Sequence, residues 1–256
     1  ACARCPRGRY RSQTEAGNNT CILCPLGKAA SSDGQVECTA CQPGEIAAAP
    51  GAVACAKCGK GSFAAQAGAS ACTACPAGKV TSSDAQPLCV VCDGGLYQNE
   101  TGASACRSCP AGTFSGKDSV NGKAACAPCP AGLASAAGQL SCSPCAAGEF
   151  APLPGSAACQ PCPAGSAQAG TANATCVTCS AGFYSAAKGQ AQCLPCPVGT
   201  FSNATGASGC AKCARGFFQS ATGQSACGAC AAGTYSAFTG ASACAACPAG
   251  KSQLQV

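Results

Sequence analysis

Every one of the 30 cysteines belongs to a Cys-x-x-Cys pair, and the 15 pairs run through the whole 256-residue chain. Their first members are Cys2, Cys21, Cys38, Cys55, Cys72, Cys89, Cys106, Cys126, Cys142, Cys159, Cys176, Cys193, Cys210, Cys227 and Cys244, at a step of 17 residues nearly everywhere. The step is 19 after Cys2, 20 after Cys106 and 16 after Cys126, differences that read as length changes in exposed loops. Recurrence at a fixed step marks an array in which each unit packs on its neighbours, and units this short have no room for long helices.

Other positions keep the same register. A glycine stands three residues beyond the second cysteine of every pair, from Gly8 and Gly27 to Gly250, and a second lies four residues before the next pair in 12 of 14 intervals, with Ala85 and Ala172 the departures. A proline follows the second cysteine in eight pairs, as at Pro6, Pro25 and Pro197. Two residues after the first glycine sits an aromatic in nine units: Tyr10, Phe63, Tyr97, Phe114, Phe150, Tyr184, Phe201, Phe218 and Tyr235. This pattern predicts a cramped hairpin per unit, with glycine supplying the positive φ that other residues resist. The aromatic slot reads as a miniature core, one ring packed on the next disulfide. The units opening at Cys24, Cys75, Cys129 and Cys162 lack the ring and are expected to be thinner.

Such units cannot hold themselves together by burial. The 47% of residues counted as hydrophobic are mostly Ala and Cys, which hide too little apolar area to offset the entropy of ordering a short unit. Covalent cross-links are therefore needed, and cysteine abundance of this order marks a disulfide scaffold in an oxidising compartment. Zinc is the rival reading, because two such pairs about 13 residues apart resemble zinc-ribbon spacing. Against it, 15 pairs would make seven four-thiolate sites with one pair left over. Covalent haem fails because His never follows the second cysteine, iron–sulfur runs of tighter spacing are absent, and a redox Cys-x-x-Cys lacks its βαβ setting. No cofactor is expected. With no His in the chain and no paired carboxylates, no nucleophile has a base beside it, and the chain does not read as an enzyme.

Stretches such as CPVGTFSNATGASGCAKC, from Cys196 to Cys213, resemble the cysteine-rich, EGF-like repeats of ephrin-receptor ectodomains and the first loop of tumour-necrosis-factor-receptor modules. The resemblance covers essentially the whole chain at its cysteine, glycine and aromatic positions. It implies an extracellular, elongated array free of catalytic residues. In the matching receptor loop the cysteine that opens the unit closes on the next cysteine that follows. Carried over, this pairs Cys5 with Cys21, Cys24 with Cys38, Cys41 with Cys55, Cys58 with Cys72, Cys75 with Cys89, Cys92 with Cys106 and Cys109 with Cys126. It goes on to pair Cys129 with Cys142, Cys145 with Cys159, Cys162 with Cys176, Cys179 with Cys193, Cys196 with Cys210, Cys213 with Cys227 and Cys230 with Cys244. The receptor modules add a second, crossed loop, which this chain lacks. Loop-closure entropy favours the same ladder, since a bridge inside one Cys-x-x-Cys restrains almost nothing whereas a loop of about 15 residues restricts the unfolded chain by about 3 kcal/mol. Cys2 and Cys247 are left unmatched at the two ends.

The expected fold class is thus small disulfide-rich repeats, an elongated solenoid-like rod of about 15 short β-hairpin units of some 17 residues, with little or no helix. Each unit is expected to touch mainly the one before and the one after. Residues 1–256 read as one continuous tandem array, a window of a longer chain, with blocks of units at 1–125 and 126–256. Asn18, Asn99, Asn173 and Asn203 each start an Asn-x-Thr triplet and are the candidate glycosylation sites, so N-linked glycans are expected partners. The formal charge of +6 is spread as single residues, its densest cluster being RGRYR from Arg7 to Arg11, which argues against nucleic acid. No run of 18 apolar residues spans a membrane. Asp33 and Asp84 recur in KAASSDG and KVTSSDA, a trace of duplication. The expected function is an extracellular structural rod in a fibre, surface coat or adhesive stalk, with homotypic assembly. The alternative is a spacer or lateral-contact region of a receptor or adhesion ectodomain, and only the GKDSVNGK insertion between Cys109 and Cys126 breaks the pattern as a specific binding site should.

Overall fold

The computed structural model describes residues 3–11, 20–118 and 120–251. Within them there is no helix. Twenty-eight strands of two residues each pair as fourteen two-stranded antiparallel sheets, from Arg9–Tyr10 with Ile22–Leu23 to Thr234–Tyr235 with Ala245–Ala246. Each sheet sits on one disulfide loop. We number these loops as modules 1 to 14, Cys5–Cys21 being module 1 and Cys230–Cys244 module 14.

The hairpin follows from the local sequence. After the opening cysteine the chain turns at once: the Arg9 N–H donates to the Pro6 carbonyl, and Gly8, third residue of that turn, has φ +80°. Such a turn demands positive φ at its third position, which only glycine adopts without strain. The strand that follows is registered by the returning one, so that Tyr10 faces Ile22, Tyr97 faces Arg107 and Phe201 faces Ala211.

Consecutive modules are joined by backbone. In modules 1 to 13 the first glycine donates its N–H to the carbonyl of the residue after the aromatic slot in the next module, as Gly27 does to Ala47 at 2.9 Å. Its carbonyl in turn accepts the N–H of the next opening cysteine, Cys41 to Gly27 at 2.9 Å. The second glycine reaches back, Gly68 donating to the Cys41 carbonyl at 2.8 Å. A peptide group used on both sides in this way is satisfied without any side chain.

Contacts also extend beyond the nearest neighbour, which the expectation of a ladder joined only to the modules before and after did not include. The Cα of the first glycine lies against the carbonyl of the second-glycine position two modules on. A Cβ on Gly27 would fall onto the Gly68 carbonyl oxygen, and one on Gly61 onto that of Gly102. The relation recurs in twelve modules, from Gly8 against Gly51 to Gly199 against Gly240. The second glycine is mostly under no such pressure: a Cβ on Gly68 or Gly102 would meet an alanine methyl at an ordinary 3.8 or 3.7 Å, the exceptions being Gly122, which lies against the Gly78 carbonyl, and Gly51, against the flexible end of Leu23. Ala85 and Ala172 occupy this slot at φ 57° and 59°, so alanine is accommodated there at the expense of a left-handed backbone. One glycine is therefore required by space and the other mainly by φ.

The slot rings do not form the buried core. Opening cysteines are buried almost throughout, Cys24, Cys58 and Cys75 completely, and so is the residue six positions after them: Ala30, Ala47, Ala64, Thr81, Gln98, Ser115 and Ala151 among others. None of the nine slot aromatics is buried; Tyr10 is half-buried and does pack on the Cys24–Ala30–Cys38 cluster of the next module. The covered residue at each junction is the one after the slot, small in most modules and a glutamine at Gln98. Where the slot holds Ala29, Val80, Ala134 or Ala167, that residue is buried.

The chain divides into two compact units. The first runs to Pro110 with Phe114–Ala127 and Ala137–Ser141, and the second holds Ala111–Thr113, Pro128–Ala136 and the chain from Cys142.

Candidate functional site

The chemistry-bearing side chains are the cysteines, and the structure joins 28 of them in the fourteen bridges Cys5–Cys21 through Cys230–Cys244. Their Cα atoms lie 5.5 to 5.8 Å apart, within the usual span of a disulfide. Most close loops at a sequence separation of 14, the exceptions being 16 at Cys5–Cys21, 17 at Cys109–Cys126 and 13 at Cys129–Cys142. A bridged sulfur offers no thiolate to a metal. Cys247 is the free cysteine among the described residues, and Cys2 lies outside them.

The acidic side chains are used to tie backbone. Asp33 accepts the N–H of Arg7 in the preceding module at 3.0 Å, and Asp84 that of Lys60 at 3.1 Å. The recurrence of the SSD stretch thus carries one specific inter-module hydrogen bond. In the GKDSVNGK insertion, Asp118 Oδ1 accepts the N–H groups of Asn121 at 3.0 Å and Val120 at 3.2 Å, and Oδ2 lies 3.8 Å from Lys123 Nζ. These donors, Asn121 first, hold its carboxyl below the usual carboxylate range. The insertion keeps the contact on the first glycine, because Asn121 and Gly122 still cover Gly78 and Gln98 donates its N–H to the Lys123 carbonyl, while the Gly122 N–H turns to the Asp118 carbonyl at 3.3 Å. It is an accommodated bulge carrying one ion pair.

Glutamine at the sixth position was not singled out by sequence reasoning, and it has a definite role. Gln98 Nε2 donates to the Ala105 carbonyl at 2.8 Å while its Oε1 accepts the Glu100 N–H at 3.0 Å. Gln168 and Gln219 repeat both bonds, to Thr175 and Gly170 and to Ala226 and Ala221. Serine in the same place makes a shorter version, Ser202 Oγ donating to the Ala204 carbonyl at 3.1 Å. The signal was available: in three modules a glutamine stands where most others carry Ala, Ser or Thr.

Of the four Asn-x-Thr acceptors, Asn99 and Asn203 are exposed, Asn173 is half-buried, and Asn18 lies outside the described residues. Arg107 and Glu100 form an exposed ion pair at 3.2 Å within module 6. No helix among the described residues is long and apolar enough to cross a membrane.

The family described as tyrosine-protein kinase ephrin type A/B receptor-like matches in six overlapping stretches, residues 44–86, 80–126, 132–172, 165–209, 199–247 and 220–256. The chain belongs to the ephrin-receptor-like cysteine-rich repeat family. Each stretch spans two to three modules, in keeping with contacts that reach two modules on. Ephrin-receptor-like repeats are a non-catalytic, extracellular type of module, and this array is of that type. No curated protein matches the chain.

Proposed function

We propose that this ephrin-receptor-like array is a structural spacer of extracellular material, a glycosylated rod in a fibre, surface coat or adhesive stalk whose span is set by the number of its modules. The observation that supports this reading is uniformity: the bonds of the first glycine recur at thirteen successive junctions, and among the described residues no module is remodelled into a site. A binding module is recognised by the place where its scaffold is broken, and here even the insertion of module 7 preserves the scaffold contact. Solution scattering tests the reading. A compact chain of this length has a radius of gyration of about 18 Å, and the spacer requires a clearly larger value that falls in step with deletion of whole modules. A value near the compact one would remove the spacer function.

The family description favours a second reading, in which the array spaces or laterally contacts the binding domain of a receptor or adhesion ectodomain. Electron microscopy of the native assembly separates the two, since a fibre or coat shows arrays associated with one another and a receptor shows single ones.

A further inference from the structure

Two of the acceptor triplets are held open by the scaffold. Asn99 and Asn203 both stand seven residues after an opening cysteine, at exposed positions just beyond the first strand, and neither their side chains nor those of Thr101 and Thr205 make a hydrogen bond. The residue before each asparagine grips the middle of the triplet instead: Gln98 Oε1 accepts the Glu100 N–H at 3.0 Å, and Ser202 Oγ donates to the Ala204 carbonyl at 3.1 Å. The backbone is fixed while the amide points free. Asn173 is different. It lies three residues before a closing cysteine, half-buried, with its Nδ2 donating to the Thr171 carbonyl at 3.1 Å and its own carbonyl accepting the N–H of Ala151 from the module before. The Thr175 carbonyl is held by Gln168 Nε2 at 2.6 Å.

We propose that the seventh position of a module is a preformed N-glycan acceptor, so that Asn99 and Asn203 are modified and Asn173 is not. The donor is a lipid-pyrophosphate-linked oligosaccharide. A bond forms between Asn Nδ2 and the anomeric carbon as the bond from that carbon to the pyrophosphate oxygen breaks; the lipid pyrophosphate leaves and Nδ2 gives up a proton. Transfer needs an amide nitrogen free of intramolecular bonds on an exposed triplet that the enzyme can reach. Each module is tied to its upstream neighbour by backbone bonds, so Asn173 is sequestered as soon as its own module closes, whereas Asn99 and Asn203 stay accessible. The inference rests on the extracellular character of the array and is independent of the choice between fibre and receptor spacer.

Module 10 supplies an internal control. Its seventh residue, Ala169, is exposed, is preceded by Gln168 with the same grip as Gln98, and is followed by Gly170 and Thr171, so Ala169→Asn makes an acceptor in the open slot four residues from Asn173. The full chain and this variant are secreted from a eukaryotic host, and occupied sites are marked by enzymatic deglycosylation in heavy-oxygen water and read by peptide mass spectrometry. Expected are occupancy at Asn99 and Asn203 several-fold above that at Asn173, and occupancy of the site made by Ala169→Asn above that of Asn173 in the same molecules. Equal occupancy at Asn173, or an unmodified acceptor at position 169, overturns the slot rule. Unmodified Asn99 and Asn203 in material whose thiol titration shows the bridges formed overturns the glycan proposal and leaves the extracellular reading standing.

Discussion

The two compact units share a scaffold and differ in what they hang on it. The first is charged, and it uses its charges: Asp33 and Asp84 tie one module to the next, Glu100 pairs with Arg107, and Asp118 organises the insertion. In the second, Glu149 is the last acidic side chain, and the 107 residues after it carry only Lys188, Lys212, Arg215 and Lys251. There the side-chain ties are neutral and stay within a module, at Gln168, Gln219 and Ser202 as at Gln98 in the first unit, and the most exposed aromatics of the chain appear, Phe238 at 78% and Phe217 at 43%. Yet the glycine and cysteine bonds are the same in both. The difference teaches that backbone and disulfides carry this fold, and that side chains outside the sixth position are free to diverge.

If that is right, loss of a rung has the largest effect and is indifferent to which unit holds it. Cys142→Ser, which also frees Cys129, is expected to destabilise module 8 by about 3 kcal/mol. Hydrogen exchange should show protection lost across modules 6 to 10 and kept elsewhere, because module 8 bonds its neighbours and packs two modules away through Gly138 and Gly132. Exchange that rises along the whole chain at once would make the array one cooperative body and erase the comparison.

Next come the side-chain ties. Asp84→Ala in the first unit and Gln168→Ala in the second should each lower local opening energy by about 1 kcal/mol, alike despite the difference in charge. Raised salt should not weaken the second. A tie in the first unit worth several times its neutral counterpart would show that charge, and not backbone, sets stability there.

In the opposite direction, Ala85→Gly and Ala172→Gly are expected to stabilise their modules by about 1 kcal/mol, since each relieves a left-handed alanine. Thermal midpoints of the single and double variants check this, and a fall in either would mean that the alanine methyl makes a contact worth more than the strain.

Smallest is the acid response of the insertion. The Asp118 pKa is lowered by the N–H groups of Asn121 and Val120 and by Lys123, so its ordering of the loop is present at neutral pH and is lost as pH falls through that lowered value. Protection of the Val120 and Asn121 amides, taken relative to their intrinsic exchange at each pH, should fall below about pH 4, with nothing comparable beyond Glu149.

Much of this was legible in the sequence, for a physical reason. A hairpin closed by a local bridge is specified by residues within one 17-residue period, so spacing alone located the turns, the strands and the two glycines. What lay outside one period was hidden. Nothing local to Gly27 states that Gly68 will lie on it, and nothing in the aromatic pattern states that Phe150 stays half-buried while Ala151 is covered completely. The acceptor asparagines show the same limit: the triplets were plain to read, but the bonds that engage Asn173 and spare Asn99 come from a neighbouring module and from side chains that grip across the hairpin.

The central claim is that the first glycine of modules 1 to 12 is required by the carbonyl two modules on, and a matched pair within the second unit tests it most directly. Gly165 faces the Gly206 carbonyl, whereas a Cβ on Gly155 would find only Pro128 at 4.0 Å, and both residues have positive φ, 83° and 79°. Local opening energies of Gly165→Ala and Gly155→Ala are to be measured by hydrogen exchange on the otherwise unchanged chain. The expected result is a loss of about 3 kcal/mol for Gly165→Ala, spread over modules 10 to 12, against about 1 kcal/mol confined to module 9 for Gly155→Ala. Equal losses at the two glycines would contradict the claim, because φ alone would then account for both.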